Sequence, residues 1–409
     1  MPGPRVRIRD VFLAALRLGL TSFGGPIAHL AYFRREYVER RRWIDPEAFG
    51  DLVALCQALP GPASSQLGIA IGTMLAGFRG GLAAWLGFTA PSAIAMLAFA
   101  LVSRSASLAD AGWVHGLELV AVAVVAVAVV ALARAHAWEP RRAAIAIAAG
   151  AVAFAWPVPL VGPLVILGGA ALGSLVLARP PTPVALAAAD APAESAAALS
   201  DRTPATPARS RLALAALVAF IVLLLGLPIA RAADGQAAAL IDTFYRSGSL
   251  VFGGGHVVLP LLHAGAVEPG WVSNDDFVAG YGAAQAVPGP LFTFAAYLGA
   301  VSALPPNGIV GGLIALGAIF LPSLLLVPAV LPWWSRLRAD RGIRSALDGA
   351  SAAVVGLLLA ALVQPVATTG LRSWLDAGLA AIAALAVASG RVPVVAVVGA
   401  LVVIGQLLG

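Results

Sequence analysis

Apolar residues run along the chain in continuous segments rich in Ala, Leu and Val. They lie near 10–23, 26–38, 47–60, 62–78, 80–103, 113–133, 143–156 and 160–178. A second series lies near 212–230, 237–252, 255–267, 275–287, 289–304, 308–332, 345–367, 373–389 and 392–408. Continuous runs of this kind predict helices, and the apolar/polar alternation of a membrane barrel is absent. Some runs exceed the roughly 20 residues that a spanning helix needs, while others are too short to cross alone. One stretch departs from the pattern. Residues 179–211 hold Pro180, Pro181, Pro183, Pro192, Pro204 and Pro207 among Ala, Ser, Thr and charges, the composition of a flexible linker.

The segments on either side of the linker repeat one another. Arg17-Leu18-Gly19 leads to Phe23-Gly24-Gly25, and Arg246-Ser247-Gly248 leads to Phe252-Gly253-Gly254. Trp43 matches Trp271 and Phe49 matches Phe277. Gln57-Ala58-Leu59-Pro60-Gly61-Pro62 matches Gln285-Ala286-Val287-Pro288-Gly289-Pro290, and Pro91-Ser92 matches Pro322-Ser323. A constant order with small drifts in spacing indicates an internal duplication. The expected domains are a first repeat at 1–178, the linker at 179–211, a connecting transmembrane helix at 212–231 and a second repeat at 232–409.

Arginine placement sets the orientation of the repeats. The loop after the first FGG break carries Arg34-Arg35 and Arg40-Arg41-Arg42, whereas its counterpart, 263–270, carries none. Cations favour the cytoplasmic side, so equivalent loops are expected on opposite faces. In the resulting topology, 10–42 and 47–79 are broken hairpins entering from the cytoplasm. Segments 80–103, 113–133, 143–156 and 160–178 then cross alternately, and the linker lies inside. The connecting helix crosses outward, so the second repeat begins outside. Only Arg104, Arg231 and Arg372 fall outside, and Arg17 and Arg246 fall within the membrane. The fold class expected is an all-α polytopic membrane protein of two inverted-topology repeats, with helices broken at the FGG and PGP motifs.

Composition supports the membrane reading. Of 409 residues, 60% are hydrophobic and 11% charged, against about 25% charged in an average soluble domain. The mean hydropathy is +0.92. An ordinary cytosolic enzyme, a disordered regulator and a disulfide-rich secreted domain are excluded. The net charge of +6 comes entirely from arginine, with no lysine, and needs no nucleic-acid partner. The single cysteine, Cys56, allows no intrachain disulfide and reads as a small buried apolar residue. No cleavable signal peptide is expected.

Broken helices in inverted repeats are a carrier signature. Backbone leaves helical geometry at membrane depth only where protein or a cavity surrounds it. Each break starts a half-helix with free N–H groups and a partial positive charge. Four such starts would surround one anion. The candidate binding set is Arg17, Ser22, Gly24, Gly25, Gln57, Pro60, Gly61, Pro62, Ser64 and Ser65 in the first repeat. In the second it is Arg246, Gly253, Gly254, His256, Gln285, Pro288, Gly289 and Pro290. Thr21 and Thr293 add hydroxyls. A lone cation in hydrocarbon costs about 2.5–3.5 kcal/mol on insertion scales, so Arg17 and Arg246 would face a dianion or acidic partners such as Asp242. The plainer readings are packing glycines, Arg17 reaching back to the cytoplasmic face, and His29, His115, His136 and His263 as packing or interfacial residues. Glu118 and Asp348 read as solvated helix-end groups, with a coupled proton as the sharper alternative. No phosphate loop, metal cluster or nucleophile elbow is present in the sequence, so no cofactor and no enzyme activity are expected.

These motifs resemble the chromate ion transporters of bacteria in their long, two-domain form. The resemblance rests on Ser22-Phe23-Gly24-Gly25-Pro26, Trp43-Ile44 and the first QALPGP run. In the second half it rests on Phe252-Gly253-Gly254-Gly255 and Gln285-Ala286-Val287-Pro288-Gly289-Pro290. It covers nearly the whole chain apart from the linker. It implies a multi-pass protein of the bacterial inner (plasma) membrane that exports chromate, driven by the proton-motive force. A sulfate or other oxyanion carrier and a passive anion channel are the alternatives, since chromate and sulfate are both tetrahedral dianions. The implied partners are that dianion and the lipid bilayer, with a homodimer as a general expectation for carriers. One departure from internal symmetry is Gly25-Pro26 where the second half has Gly254-Gly255-His256.

Overall fold

The computed structural model describes residues 6–23, 25–105, 112–156, 161–177, 207–251, 258–334 and 340–408, and among these there is no strand. The first repeat begins with α1 (Ile8–Thr21) and α2 (Gly25–Phe33), which runs into a π-helical turn, Arg34–Arg40. Helix α3 (Pro46–Ala58) starts where the Asp45 carboxylate accepts from the Ala48 N–H and Pro46 fills the first turn. Helix α4 (Ala63–Ser105) is bent at Ala76 and Gly77, so the separate segments 62–78 and 80–103 of the sequence form two arms of one element. Helices α5 (Gly112–His136), α6 (Pro140–Ala155) and α7 (Val161–Val176) complete the repeat.

Helix α8 (Pro207–Ser249) contains the connecting segment and the first helix of the second repeat. It folds back at Gly235, where φ is +79°, and the Tyr245 hydroxyl donates to the Phe220 carbonyl across the resulting pair. Next come α9 (Val258–Leu262) with a π-helical turn at His263–Val267, α10 (Asn274–Ala286), and a 3-10 turn leading into α11 (Phe294–Val301). The chain ends with α12 (Gly308–Val330), α13 (Arg341–Ala361), α14 (Trp374–Ala388) and α15 (Val394–Leu408). The two π turns sit at matched positions, and the Asp45 cap is matched by Ser273, whose hydroxyl accepts from the Asp276 N–H.

Packing exchanges elements between the halves. Within each half, α1 lies along α4 and the second arm of α8 lies along α12. At the far ends, α5 packs on α14 and α15, while α13 packs on α6 and α7. Glycines let these pairs close. Gly116 of α5 lies against the Leu401 carbonyl, and Gly349 of α13 lies against the Gly169 carbonyl.

Among the described residues, five helical stretches are long and apolar enough to cross a bilayer. They are Ala63–Ser103, Gly112–His136, Arg211–Ala232, Gly308–Trp333 and Gly342–Gln364. Arg211–Ala232 buries little of its surface and presents Leu214, Val218, Val222, Leu225 and Ile229 outward. Unpartnered apolar faces of this extent belong against lipid. The chain is an all-α polytopic membrane protein.

Candidate functional site

The two PGP turns each reach into the other repeat. The Gly61 N–H donates to the Val251 carbonyl at 2.6 Å, and the Gly289 N–H donates to the Ser22 carbonyl at 2.9 Å. Val251 and Ser22 are matched residues, each just before its FGG break. Both glycines hold positive φ, +124° and +111°, a region that favours glycine. A Cβ on Gly61 would lie 2.7 Å from the Ser323 Oγ, and one on Gly289 would lie 2.7 Å from the Ser92 Oγ. Ser92 and Ser323 are themselves the matched Pro-Ser positions. The result is a reciprocal clamp in which each PGP turn donates to the residue that precedes the FGG motif of the other half.

Polar groups gather at this crossing, mostly from the first repeat. Gln66 donates to the Pro60 carbonyl at 2.6 Å and to the Ser323 hydroxyl at 3.2 Å. The hydroxyls of Ser22, Ser65 and Thr89, the Gln66 Oε1 and both ring nitrogens of His29 are buried without a hydrogen-bond partner among the described residues. His29 sits edge-on to Phe88, whose carbonyl backs Gly289. Each unpartnered buried polar group costs about 1–3 kcal/mol, and several at one place suit a polar ligand. Ser64 and Ser65 occupy the first turn of α4, where backbone N–H groups lack intrahelical acceptors.

The other sequence candidates are distributed as follows. Gly25 opens α2 with φ of +77° and no atom near its missing Cβ. Pro60, Gly61, Pro62, Pro288, Gly289 and Pro290 form the two turns. Gln57 is exposed and Gln285 is half-buried, with its Nε2 unpartnered among the described residues. The Thr293 hydroxyl donates to the Pro290 carbonyl, and Thr21, at an exposed position, donates to the Arg17 carbonyl. Gly24, Gly253, Gly254 and His256 lie outside the described residues.

The two arginines differ. Arg246 pairs with Asp242 at 3.4 Å, and Arg231 reaches the same carboxylate at 3.5 Å. Arg17 is exposed on the face of α1 that carries Leu13 and Leu20, with no acidic partner among the described residues. Leu13 occupies the position matched to Asp242, which explains the difference. The two side chains therefore differ in surroundings despite their matched positions.

The candidate set named from the sequence does not include Gln66, His29, Thr89 or the Ser92/Ser323 pair. Gln66 was visible as a lone amide in an apolar run four residues after the PGP turn. His29 and Thr89 have apolar counterparts, so a search for duplicated polar residues passes over them.

The halves also differ in how they close. Helix α10 packs along α5, where Gly282 lies so close that a Cβ would stand 2.3 Å from the Leu117 carbonyl. Its counterpart α3 packs on α4 and the first π turn, and has no comparable packing on α13. Glu47, Gly50, Ala54 and Gln57 accordingly form an exposed stripe on α3, while matched Val278 and Gly282 are buried. Both helices lead into the same motif, so the sequence does not distinguish them.

A cavity of about 230 Å³ lies elsewhere, lined by residues including Phe154, Leu261, His263, Glu268 and Gln364. It includes none of the candidate binding residues. Among the described residues no cluster of three metal-ligating side chains is found.

The family model "Chromate transporter" matches residues 9–174 and 238–406. A chromate transport protein of Pseudomonas aeruginosa is 27% identical over 378 residues, covering 90% of this chain and 83% of its own. One of Cupriavidus metallidurans is 25% identical, covering 88% and 83%. An uncharacterized transporter of Methanocaldococcus jannaschii is 24% identical, covering 87% and 83%. No solved structure matches. Both halves of the chain, with their broken helices and reciprocal clamp, fall within the matched ranges, and the chain belongs to the chromate transporter family.

Proposed function

We propose that the protein exports chromate across the inner membrane by alternating access, driven by the proton-motive force, with two inverted repeats rocking about the reciprocal PGP clamp. The carrying observation is the unequal closure of two matched helices, with α10 packed on α5 and α3 parted from α13. A carrier in one of its two end states has this asymmetry. The other state exchanges the roles of the two helices. In the topology set by the arginines, α3 starts on the cytoplasmic side, beside Arg40, Arg41 and Arg42, so the parted side faces the cytoplasm. Loading from that side fits export.

Chromate as the substrate is supported by the names of the relatives from Pseudomonas aeruginosa and Cupriavidus metallidurans. The site's chemistry supports a tetrahedral oxyanion. Ser22, Ser65 and the start of α4 supply donors around the crossing, and buried N–H and O–H groups hold an anion without a full counter-charge. The closed α5–α10 seam supports a carrier over an open channel. A sulfate carrier shares this donor set.

Chromate flux in proteoliposomes with an imposed proton gradient tests the reading. Accumulation against a chromate gradient, with sulfate competing weakly, is the expected result. Purely downhill flux, or flux that follows sulfate and ignores chromate, overturns it.

A further inference from the structure

Near the start of α5, His115 lies between two carboxylates. Its Nδ1 is 3.0 Å from Glu118 Oε2 and its Nε2 is 2.9 Å from Asp376 Oδ1 on α14. Arg372 donates to the same Glu118 oxygen at 2.8 Å, and its backbone N–H donates to Asp376 Oδ2 at 2.9 Å. The Glu118 side chain has no exposed surface, and its Oε1 has no partner among the described residues. The expectation that Glu118 is a solvated helix-end group is thereby corrected.

A neutral imidazole carries one N–H and therefore donates to one carboxylate only. Two carboxylate oxygens within 3.0 Å of its two nitrogens need one further proton, on the ring or on a carboxyl. With that proton, His115, Arg372, Glu118 and Asp376 sum to zero charge. Without it, a net negative charge stays buried and a ring lone pair faces a carboxylate oxygen. Such a charge is expensive away from water.

The cluster adjoins the closed seam. Leu117, whose carbonyl touches Gly282 of α10, is the neighbour of Glu118 in sequence. The other groups facing the cluster are Asp275 at the start of α10, which adds negative charge, and the neutral Gln406 of α15, which accepts from the Trp113 N–H. In the other half the matched Asp348 pairs with Arg142, whose guanidinium also lies 3.7 Å from Glu139, and among the described residues no histidine there bridges two carboxylates. Under the arginine-based topology, His115 and Arg372 are on the outer side.

We propose that His115, between Glu118 and Asp376, binds the coupling proton, and that its occupancy holds the outer α5–α10 seam closed. The inference rests on the proton-driven reading above. Protonation from outside favours outer closure; the proton then leaves to the cytoplasm from that outer-closed state, and its loss loosens α5 from α14 and releases α10. This is the sign that proton-for-chromate exchange requires.

The test uses the purified full chain in proteoliposomes with two readouts, chromate–chromate exchange at equal pH and chromate accumulation under a pH gradient. His115→Gln and Glu118→Gln are expected to keep exchange within about twofold of the wild type and to lose gradient-driven accumulation at least about tenfold. Their exchange rates are also expected to lose the pH dependence of the wild type. Wild-type-like accumulation in both variants overturns the proposal while leaving proton drive intact. Loss of exchange together with accumulation in both folded variants assigns the cluster a structural role and overturns it too. A wild type that ignores the gradient overturns the proton-driven reading, and this proposal with it.

Discussion

At the helix crossing the first repeat presents Ser22, His29, Ser65, Gln66 and Thr89, whereas the matched positions of the second are Val251, Val258, Thr293, Phe294 and Phe320. The backbone devices are shared by both halves: a π turn after the first break, a capped helix before the PGP turn, and a glycine at positive φ inside it. The backbone devices recur on both sides, where each PGP turn donates to a carbonyl of the other half. The side chains differ. One half carries polar groups and a parted helix, and the other carries aromatic packing and a closed seam. A substrate site at this crossing would be lopsided, even though its frame has matched turns.

Breaking the shared frame is expected to have the largest effect. Gly61→Ala and Gly289→Ala each place a Cβ against a serine of the other repeat at an unfavourable φ. Each is expected to destabilise by about 3 kcal/mol, seen as a lower midpoint in thermal unfolding of detergent-solubilised protein. Similar losses in the two variants support the reciprocal clamp, and a silent variant on one side breaks the comparison.

The arginines sharpen the comparison next. Arg17→Gln and Arg246→Gln are both expected to abolish chromate resistance while the protein remains in the membrane. Only Arg246→Gln also weakens the fold, by about 1–2 kcal/mol, because Asp242 is left with Arg231 alone. Unchanged resistance in both variants would remove the arginines from the transport mechanism.

The polar filling gives a smaller, local effect. Gln66→Leu is expected to weaken chromate binding about tenfold, or about 1.4 kcal/mol, measured as the concentration giving half-maximal flux. Phe294→Leu, at the matched position, is expected to change that concentration less than about twofold. Equal effects would place the site symmetrically between the repeats.

Much of the frame was legible before any coordinates. The FGG and PGP motifs mark backbone breaks because glycine and proline leave physical traces in the sequence, and their duplication marked the repeat. The Arg246–Asp242 pair was legible from helical spacing. The cross-repeat partners of the PGP turns were not, because residues more than 180 positions apart come together only through packing. The site's polar core was obscured for a related reason. His29 and Thr89 look like isolated polar residues in apolar helices until Phe88, Gly289 and Ser92 are brought beside them. Glu118 shows how position misleads: near a helix start it reads as solvated, yet Arg372 and Asp376 arrive from the other half to bury it.

The central claim is that matched helices α3 and α10 occupy opposite states and exchange them during transport. Cysteines introduced singly at Gly50 and Val278, in a Cys56→Ala background, test it through the rate of maleimide labelling in membranes. The account predicts fast labelling at position 50 and slow labelling at 278 in the state described here. A chromate and pH gradient that drives turnover should protect 50 and expose 278. Labelling rates that rise or fall together, or that do not respond to turnover, would contradict it.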